Sequence, residues 1–191
     1  MTYHHIVFQP FGDSGLEMVW PQQIATDFLL EIRSITEALT NFEELPVTDI
    51  VPSYARILIV FNGPVDFKAI VKKLQQIIDE VETKQLLQRY RWLIPVCYEA
   101  KYGLDIDQIC ERSGLSSKEL ISLHTGDDYP IYFFGFLPGF VYLGGLNERL
   151  HFPRKETPRR IVRKGSVGIG RSQTGIYPQD SPGGWQLIGR T

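Results

Sequence analysis

Eight basic side chains lie between residues 149 and 171 and run into a stretch that is rich in glycine. They are Arg149, Arg154, Lys155, Arg159, Arg160, Arg163, Lys164 and Arg171, against the single acid Glu156. The overlapping segment 165–189, GSVGIGRSQTGIYPQDSPGGWQLIG, holds seven glycines and two prolines. Backbone amides of Gly-rich turns beside cations favour a phosphate, a carboxylate or an acidic partner. A solvated basic face is the alternative interpretation.

Two nucleotide-binding motifs are nearly matched in this stretch. Residues 165–172, GSVGIGRS, fit the Walker A pattern except that Arg171 replaces the lysine. That motif and the dinucleotide fingerprint both require a helix immediately after the glycines. The segment that follows contains Pro178 and Pro182, which are incompatible with such a helix. We therefore exclude both motifs and predict a strand, a loop and a strand.

Few other residues could carry chemistry. His124 ends a short amphipathic segment, and a lone histidine is more often a hydrogen-bonded structural residue than a base. His4 and His5 are adjacent, so a strand would point them to opposite faces. Cys97 and Cys110 lack the spacing of a zinc site and are expected to be thiols in a reducing compartment. We expect no metal and no nucleophile–base pair.

The first half of the chain predicts an α+β sandwich. Residues 1–90 carry seven basic and twelve acidic side chains, whereas residues 91–191 carry thirteen and ten. This asymmetry indicates two domains, placed at 1–88 and 89–191. In the first, strands are predicted at 4–9, 15–20, 47–51 and 56–61, with helices at 24–39 and from Asp66. The resulting ββαββα order is interpreted as a ferredoxin-like domain, one sheet with two helices on one face.

The second half is predicted to be mainly β. A strand is expected at 92–98, followed by a helical hairpin with capping boxes at Asp105–Gln108 and Ser116–Glu119. Lys118 is the one cation on the second helix, so DNA binding is not expected. No signal peptide or membrane helix is predicted, because the longest uncharged run is interrupted by Pro138 and glycines. A cytoplasmic protein is expected.

Several ordered blocks carry a family resemblance. They are GFLPGF at 135–140, YLGGL at 142–146, QTGIYP at 173–178 and SPGGW at 181–185. Together they closely resemble the B subunit of the bacterial 5-oxoprolinase, also called allophanate hydrolase subunit 1, a family that includes the sporulation-kinase inhibitor Kip. The resemblance implies an N-terminal α+β domain followed by a cyclophilin-like β-barrel. Members of the family continue beyond residue 191 with further barrel strands, so a truncated chain with an open barrel edge is expected.

The resemblance also implies an activity and partners. With subunits C and A, the chain would form an ATP-dependent enzyme that opens 5-oxoproline to glutamate, with ATP bound at the level of the complex and no cofactor in the isolated chain. Inhibition of a sporulation-type histidine kinase and half of a biotin-dependent carboxyltransferase are the alternatives. By family position, a cleft between two barrels is lined by His124, Gln173, Tyr177 and Ser181, with Arg159 and Lys164 as anion contacts. The isolated chain is expected to be inactive.

Overall fold

The computed structural model of the chain describes residues 6–21, 26–42, 45–81 and 90–191. The chain divides into two compact units, Met1–Tyr90 and Arg91–Thr191. The predicted domain boundary between residues 88 and 89 involves residues outside the described ranges and stays a prediction, and His4 and His5 are outside them too. Across the described ranges, no helix combines the length and the apolar character that crossing a bilayer requires.

The first unit is an antiparallel sheet with two helices packed on one face. Its described elements are β1 Val7–Phe11, β2 Gly15–Val19, α1 Thr26–Thr40, β3 Val47–Pro52, β4 Arg56–Phe61 and α2 Phe67–Glu80. The strand order is β1-β2-β4-β3. Alternate side chains of β2 and β4 form one core with both helices, including Leu16, Met18, Ile57, Ile59, Phe28, Ile35 and Leu74. Asp66 caps α2 by accepting from the backbone N–H groups of Lys68 and Ala69.

The predicted strand pairs and the two helices are thus confirmed in the described residues. Their order, ββαββα, differs from the βαββαβ order of a ferredoxin-like domain. The α+β composition was predictable because each element shows its own period of apolar residues. The ferredoxin-like connectivity stays a prediction, because residues 1–5 and 82–89, at the two ends of this unit, lie outside the described ranges.

The second unit combines a helical hairpin with two antiparallel sheets. The helices are α3 Ile106–Ser113 and α4 Ser117–Thr125, and a 3₁₀ turn covers Glu148–Leu150. The strands are β5 Ile131–Phe134, β6 Val141–Leu143, β7 Arg159–Val162, β8 Ser166–Gly170, β9 Gln173–Ile176, β10 Ser181–Gly183 and β11 Gln186–Arg190. The larger sheet has the order β11-β8-β9-β6-β5, and β7 pairs with β10 in a second sheet.

The described residues do not form a closed barrel. The outer strands of the larger sheet, β11 and β5, are not paired with each other, and β7 and β10 pair only together. A barrel closes only when its first and last strands exchange hydrogen bonds. The expected barrel is therefore replaced, in the described chain, by an open five-stranded sheet and a separate two-stranded one.

Two local predictions also need correction. Residues 91–96 form no strand, and only Cys97 makes an isolated bridge, to Arg190. Trp92 and Leu93 are 73% and 84% exposed, so an apolar run alone did not indicate a paired strand. The loop predicted around Pro178 and Pro182 contains the short strand β10. Ser181 and Gly183 are its paired residues, and the proline between them is exposed and need not donate.

Candidate functional site

Asp105 connects four parts of the second unit. Its Oδ1 accepts from Lys155 Nζ at 3.1 Å and from Arg159 Nη2 at 2.7 Å. Its Oδ2 accepts from the backbone N–H of Leu187 at 2.6 Å, and its own N–H donates to the Leu187 carbonyl at 2.9 Å. Asp105 makes no side-chain cap to α3, so the capping box predicted there is wrong. The Ser116–Glu119 capping box of α4 is confirmed.

The partners of Asp105 fix its charge. The side chain is only 4% exposed, and burial by itself would raise the pKa of the carboxyl. Hydrogen bonds from Arg159, from the Leu187 N–H and from Lys155 outweigh that effect and hold the pKa below its ordinary value. Asp105 is therefore a carboxylate at neutral pH, and Arg159 is not a free cation.

Tyr177 lies in an aromatic cluster next to these charges. It is 2% exposed, and its ring makes edge contacts with Phe136 and Phe140. Burial raises the pKa of the phenol, and this is partly offset by the Trp185 backbone N–H and by the positive charges of Arg154 and Arg159. The Tyr177 hydroxyl is thus neutral at physiological pH and hydrogen bonded to the backbone.

The glycines of the 165–189 stretch make room for aromatic rings. A Cβ on Gly170 would lie 2.5 Å from Trp185, and a Cβ on Gly175 would lie 3.1 Å from both Trp185 and Phe140. A Cβ on Gly183 would lie 2.5 Å from the Tyr177 hydroxyl. The close approach that the glycine density indicated is therefore made by the protein's own aromatic side chains.

His124 is a fully hydrogen-bonded core residue. Its Nδ1 lies 2.8 Å from the Tyr98 hydroxyl, and its Nε2 lies 3.0 Å from Thr174 Oγ1. Thr174 donates its own proton to the Gly168 carbonyl at 3.1 Å. Thr174 Oγ1 must therefore accept from His124, which places the ring proton on Nε2 and leaves Nδ1 to accept from Tyr98. Burial lowers the pKa of His124 to about 4, so the ring is neutral.

Strand β9 separates His124 from the other predicted site residues. Successive side chains of a strand point to opposite faces. Thr174 faces His124, whereas the neighbouring Gly175 faces Phe140 and Trp185, on the side where Tyr177 packs. By the same alternation Gln173 belongs to the Tyr177 side. The structure does not bring His124 into one cleft with Gln173 and Tyr177.

The remaining predicted residues have separate surroundings. Gln173 Oε1 is buried and accepts no hydrogen bond from the described residues. Ser181 is 7% exposed and its hydroxyl donates to the Pro182 carbonyl at 3.1 Å. Lys164 is exposed and lies beyond the far end of β7 from Arg159, where its backbone N–H donates to Asp180. Arg159 and Lys164 thus lie at opposite ends of β7, and their predicted role as anion contacts stays a prediction.

In the described ranges, no serine or cysteine is hydrogen bonded to a histidine. The two described histidines are His124 and His151, and His151 Nε2 is bound to the Leu146 carbonyl at 2.9 Å. Neither imidazole is paired with a serine or a cysteine. No group of three or more potential metal ligands occurs in the described part of the chain either.

Sequence reasoning did not single out Asp105, Lys155 and Trp185 as candidate site residues. Asp105 lies 50, 54 and 82 residues from its three partners, so no local spacing could pair them. One signal was present, because a tryptophan among closely spaced glycines indicates a large ring that needs space. The basic run at 149–171 includes Lys155 and Arg159, but it does not show that these two share the carboxylate of Asp105.

Comparisons with known proteins place the chain in a family. The pattern described as carboxyltransferase domain, subdomain C and D, matches residues 6–191, and the chain belongs to that family. The 5-oxoprolinase B subunit of Haemophilus influenzae is 41% identical over 78% of this chain and 69% of its own length. The 5-oxoprolinase B subunit of Bacillus subtilis is 41% identical over 65% of this chain. The chain spans 52% of that second relative's length.

Solved structures agree on the fold. The crystal structure of TTHA0988 has 28% identity and a TM-score of 0.77, and covers 92% of this chain but 34% of its own. The urea amidolyase of K. lactis has a TM-score of 0.79 over 97% of this chain and 13% of its own, at 18% identity. The second of these shows the fold alone.

Proposed function

We propose that this chain acts as the B subunit of a 5-oxoprolinase. The observation that carries the proposal is that relatives of this name are 41% identical to the chain in three bacteria. The ordered motifs at 135–146 and 173–185 support it from within the sequence. The kinase-inhibitor alternative and the carboxyltransferase-half alternative are not favoured, because these three relatives bear the 5-oxoprolinase name.

The chain does not catalyse the reaction alone under this proposal. Both described histidines are engaged in structural hydrogen bonds, and the Ser181 hydroxyl is bound to a backbone carbonyl. Subunits C and A are the proposed partners, and ATP is bound at the level of the complex. A cyclophilin-like barrel is part of this proposal, and it would be completed along β5, whose outer edge pairs with no strand of the described residues.

The substrate-facing part is placed on the Tyr177 side of β9. Arg159, Lys155 and Gln173 are the polar groups that we assign to the substrate, and Tyr177 and Trp185 form the apolar wall. His124 has a structural role in this proposal, as a link between α4 and β9. The two free cysteines, Cys97 and Cys110, are compatible with the reducing cytoplasm as the site of action.

Reconstitution tests the proposal. The chain is purified alone and with subunits C and A from the same genome, and glutamate release from 5-oxoproline is measured with and without ATP. Activity is expected only when all three subunits and ATP are present, with a rate that saturates as this chain is titrated. Turnover by the isolated chain, or a complex that works equally well without it, would contradict the proposal.

A further inference from the structure

Lys155 and Arg159 carry more hydrogen-bond donors than the described residues use. A lysine side chain has three N–H donors and an arginine side chain has five. One hydrogen bond from each reaches Asp105 Oδ1. Within the described chain, Arg159 Nη1 is buried and has no acceptor. Both cations therefore keep donors for a further acceptor.

The charges of this cluster do not cancel. Asp105 is the one carboxylate that forms an ion pair with either cation in the described part of the chain. The Lys155 and Arg159 side chains are only 26% and 21% exposed, so both have lost much of their hydration. Partly buried charges are stabilised when they are paired. One additional negative charge would balance two cations and one carboxylate.

An apolar wall lies beside the segment that carries Lys155. The Lys155 backbone N–H donates to the carbonyl of Gly184, the residue before Trp185, at 2.7 Å, and the Arg154 guanidinium lies 5.6 Å from the centre of the Trp185 ring. Tyr177 and Trp185 belong to one aromatic cluster with Phe140. Small-molecule sites commonly combine such a wall with a few fixed polar groups. The chemistry fits a small ring that bears a single carboxylate.

We infer that Lys155 and Arg159 bind the carboxylate of a small cyclic acid and that Asp105 is the positioning residue that holds both cations in place. Given the proposed function, on which this inference rests, the acid is 5-oxoproline. The site differs from the one predicted from the sequence, because Lys155 replaces Lys164 and Asp105 is added. Lys164 lies beyond the other end of β7, beside Asp180.

The test separates recognition of the carboxylate from general loss of structure. In the reconstituted complex, Arg159→Lys retains the charge and one hydrogen bond to Asp105 but removes the second arm of the guanidinium. We expect the KM for 5-oxoproline to rise about tenfold or more, because charge-assisted hydrogen bonds are lost. The inhibition constant of 5-oxoprolinamide, which has a neutral amide in place of the carboxylate, should change less than about threefold, since it offers no charge to the guanidinium.

Arg160→Lys is the matched control. Arg160 is the next residue of β7 and is exposed, so its replacement should leave both constants unchanged. If Arg159→Lys fails to assemble, Lys155→Met provides the same comparison from the second cation. Equal loss for the acid and the amide would assign Arg159 a structural role and overturn the inference. Unchanged constants for both would overturn it as well.

Binding to the chain itself distinguishes this inference from the proposed function. If the wild-type complex does not open 5-oxoproline, the proposed function fails, and calorimetry with the full chain then tests the site. The acid should bind more tightly than 5-oxoprolinamide, and this preference should disappear in Arg159→Lys but persist in Arg160→Lys. Absence of any preference for the acid would overturn the site independently of the reaction.

Discussion

The two faces of strand β9 differ in how completely their polar groups are satisfied. On one face, Thr174 and His124 form a directed chain of hydrogen bonds from Tyr98 to the Gly168 carbonyl. On the other face, Gln173 Oε1 is buried and has no partner among the described residues, and the same holds for Arg159 Nη1 on β7. Buried polar groups in proteins are nearly always paired. The unpaired groups at Gln173 and Arg159 are the ones that the proposed ligand would satisfy.

This contrast shows why a motif cannot be carried over as a block. The segment QTGIYP alternates between the two faces, so neighbouring residues within it have different roles. A resemblance assigns the whole segment to a site. The alternation of side chains along β9 determines which residues of the segment can face a ligand.

The largest effect is expected at Asp105, whose carboxylate joins Leu187 of β11 to the two cations Lys155 and Arg159. Asp105→Ala removes the acceptor for Leu187 N–H and leaves two partly buried cations without their counter-ion. We expect the free energy of unfolding to fall by about 3–5 kcal/mol. Urea denaturation of the chain measures this. Asp107→Ala, at an exposed position on α3, serves as the control. A loss below about 1 kcal/mol for Asp105→Ala would show that the ion pairs of Asp105 do not stabilise the fold as expected.

The next effect is a pH dependence that belongs to the His124 side. The pKa of His124 is about 4 in the folded chain, below its ordinary value of 6.5. Between these values the unfolded chain binds more protons, so stability is complete above pH 6.5 and is lost as the pH falls towards 4. The expected loss is about 3 kcal/mol.

His124→Gln removes this titration and tests the contrast directly. Unfolding measured at several pH values should give a flatter profile between pH 4 and 6.5 than in the wild type. The reconstituted complex should keep its KM for 5-oxoproline, because His124 lies on the opposite face of β9 from Tyr177 and Trp185. A large fall in kcat without a loss of folded protein would return His124 to the catalytic role that the resemblance implied.

The fold was predictable where the signal was local, and the site was not. The α4 cap was visible because Ser116 and Glu119 are three residues apart. The Asp105 capping box had the same spacing, yet the side chain turns to Arg159 and Leu187 instead. A charged partner held by the tertiary structure outcompetes a helix cap, which contributes only about 1 kcal/mol. Partners so distant in sequence are set by the sheet topology.

A smaller effect is expected from the glycines that support the aromatic wall. Gly170→Ala places a Cβ 2.5 Å from Trp185, and overpacking of this kind costs about 2 kcal/mol. Gly184→Ala is the matched control, because its Cβ would meet no atom closer than 3.6 Å. Thermal unfolding of both variants should show a lower midpoint for Gly170→Ala only. Equal midpoints would mean that Trp185 can move aside, and that the wall is not fixed.

The smallest effect is expected at Lys164, and it separates the predicted anion site from the inferred one at Lys155 and Arg159. The Lys164 side chain is exposed, and its link to Asp180 runs through the backbone N–H, which survives replacement of the side chain. Lys164→Ala should therefore leave the KM for 5-oxoproline within about twofold of the wild type, since exposed charges contribute little. Lys155→Ala in the same assay should raise it, because Lys155 shares the buried carboxylate with Arg159. If Lys164→Ala raised the KM more than Lys155→Ala did, the anion site would instead lie at the far end of β7, beside Lys164, which is one of the two anion contacts predicted from the sequence.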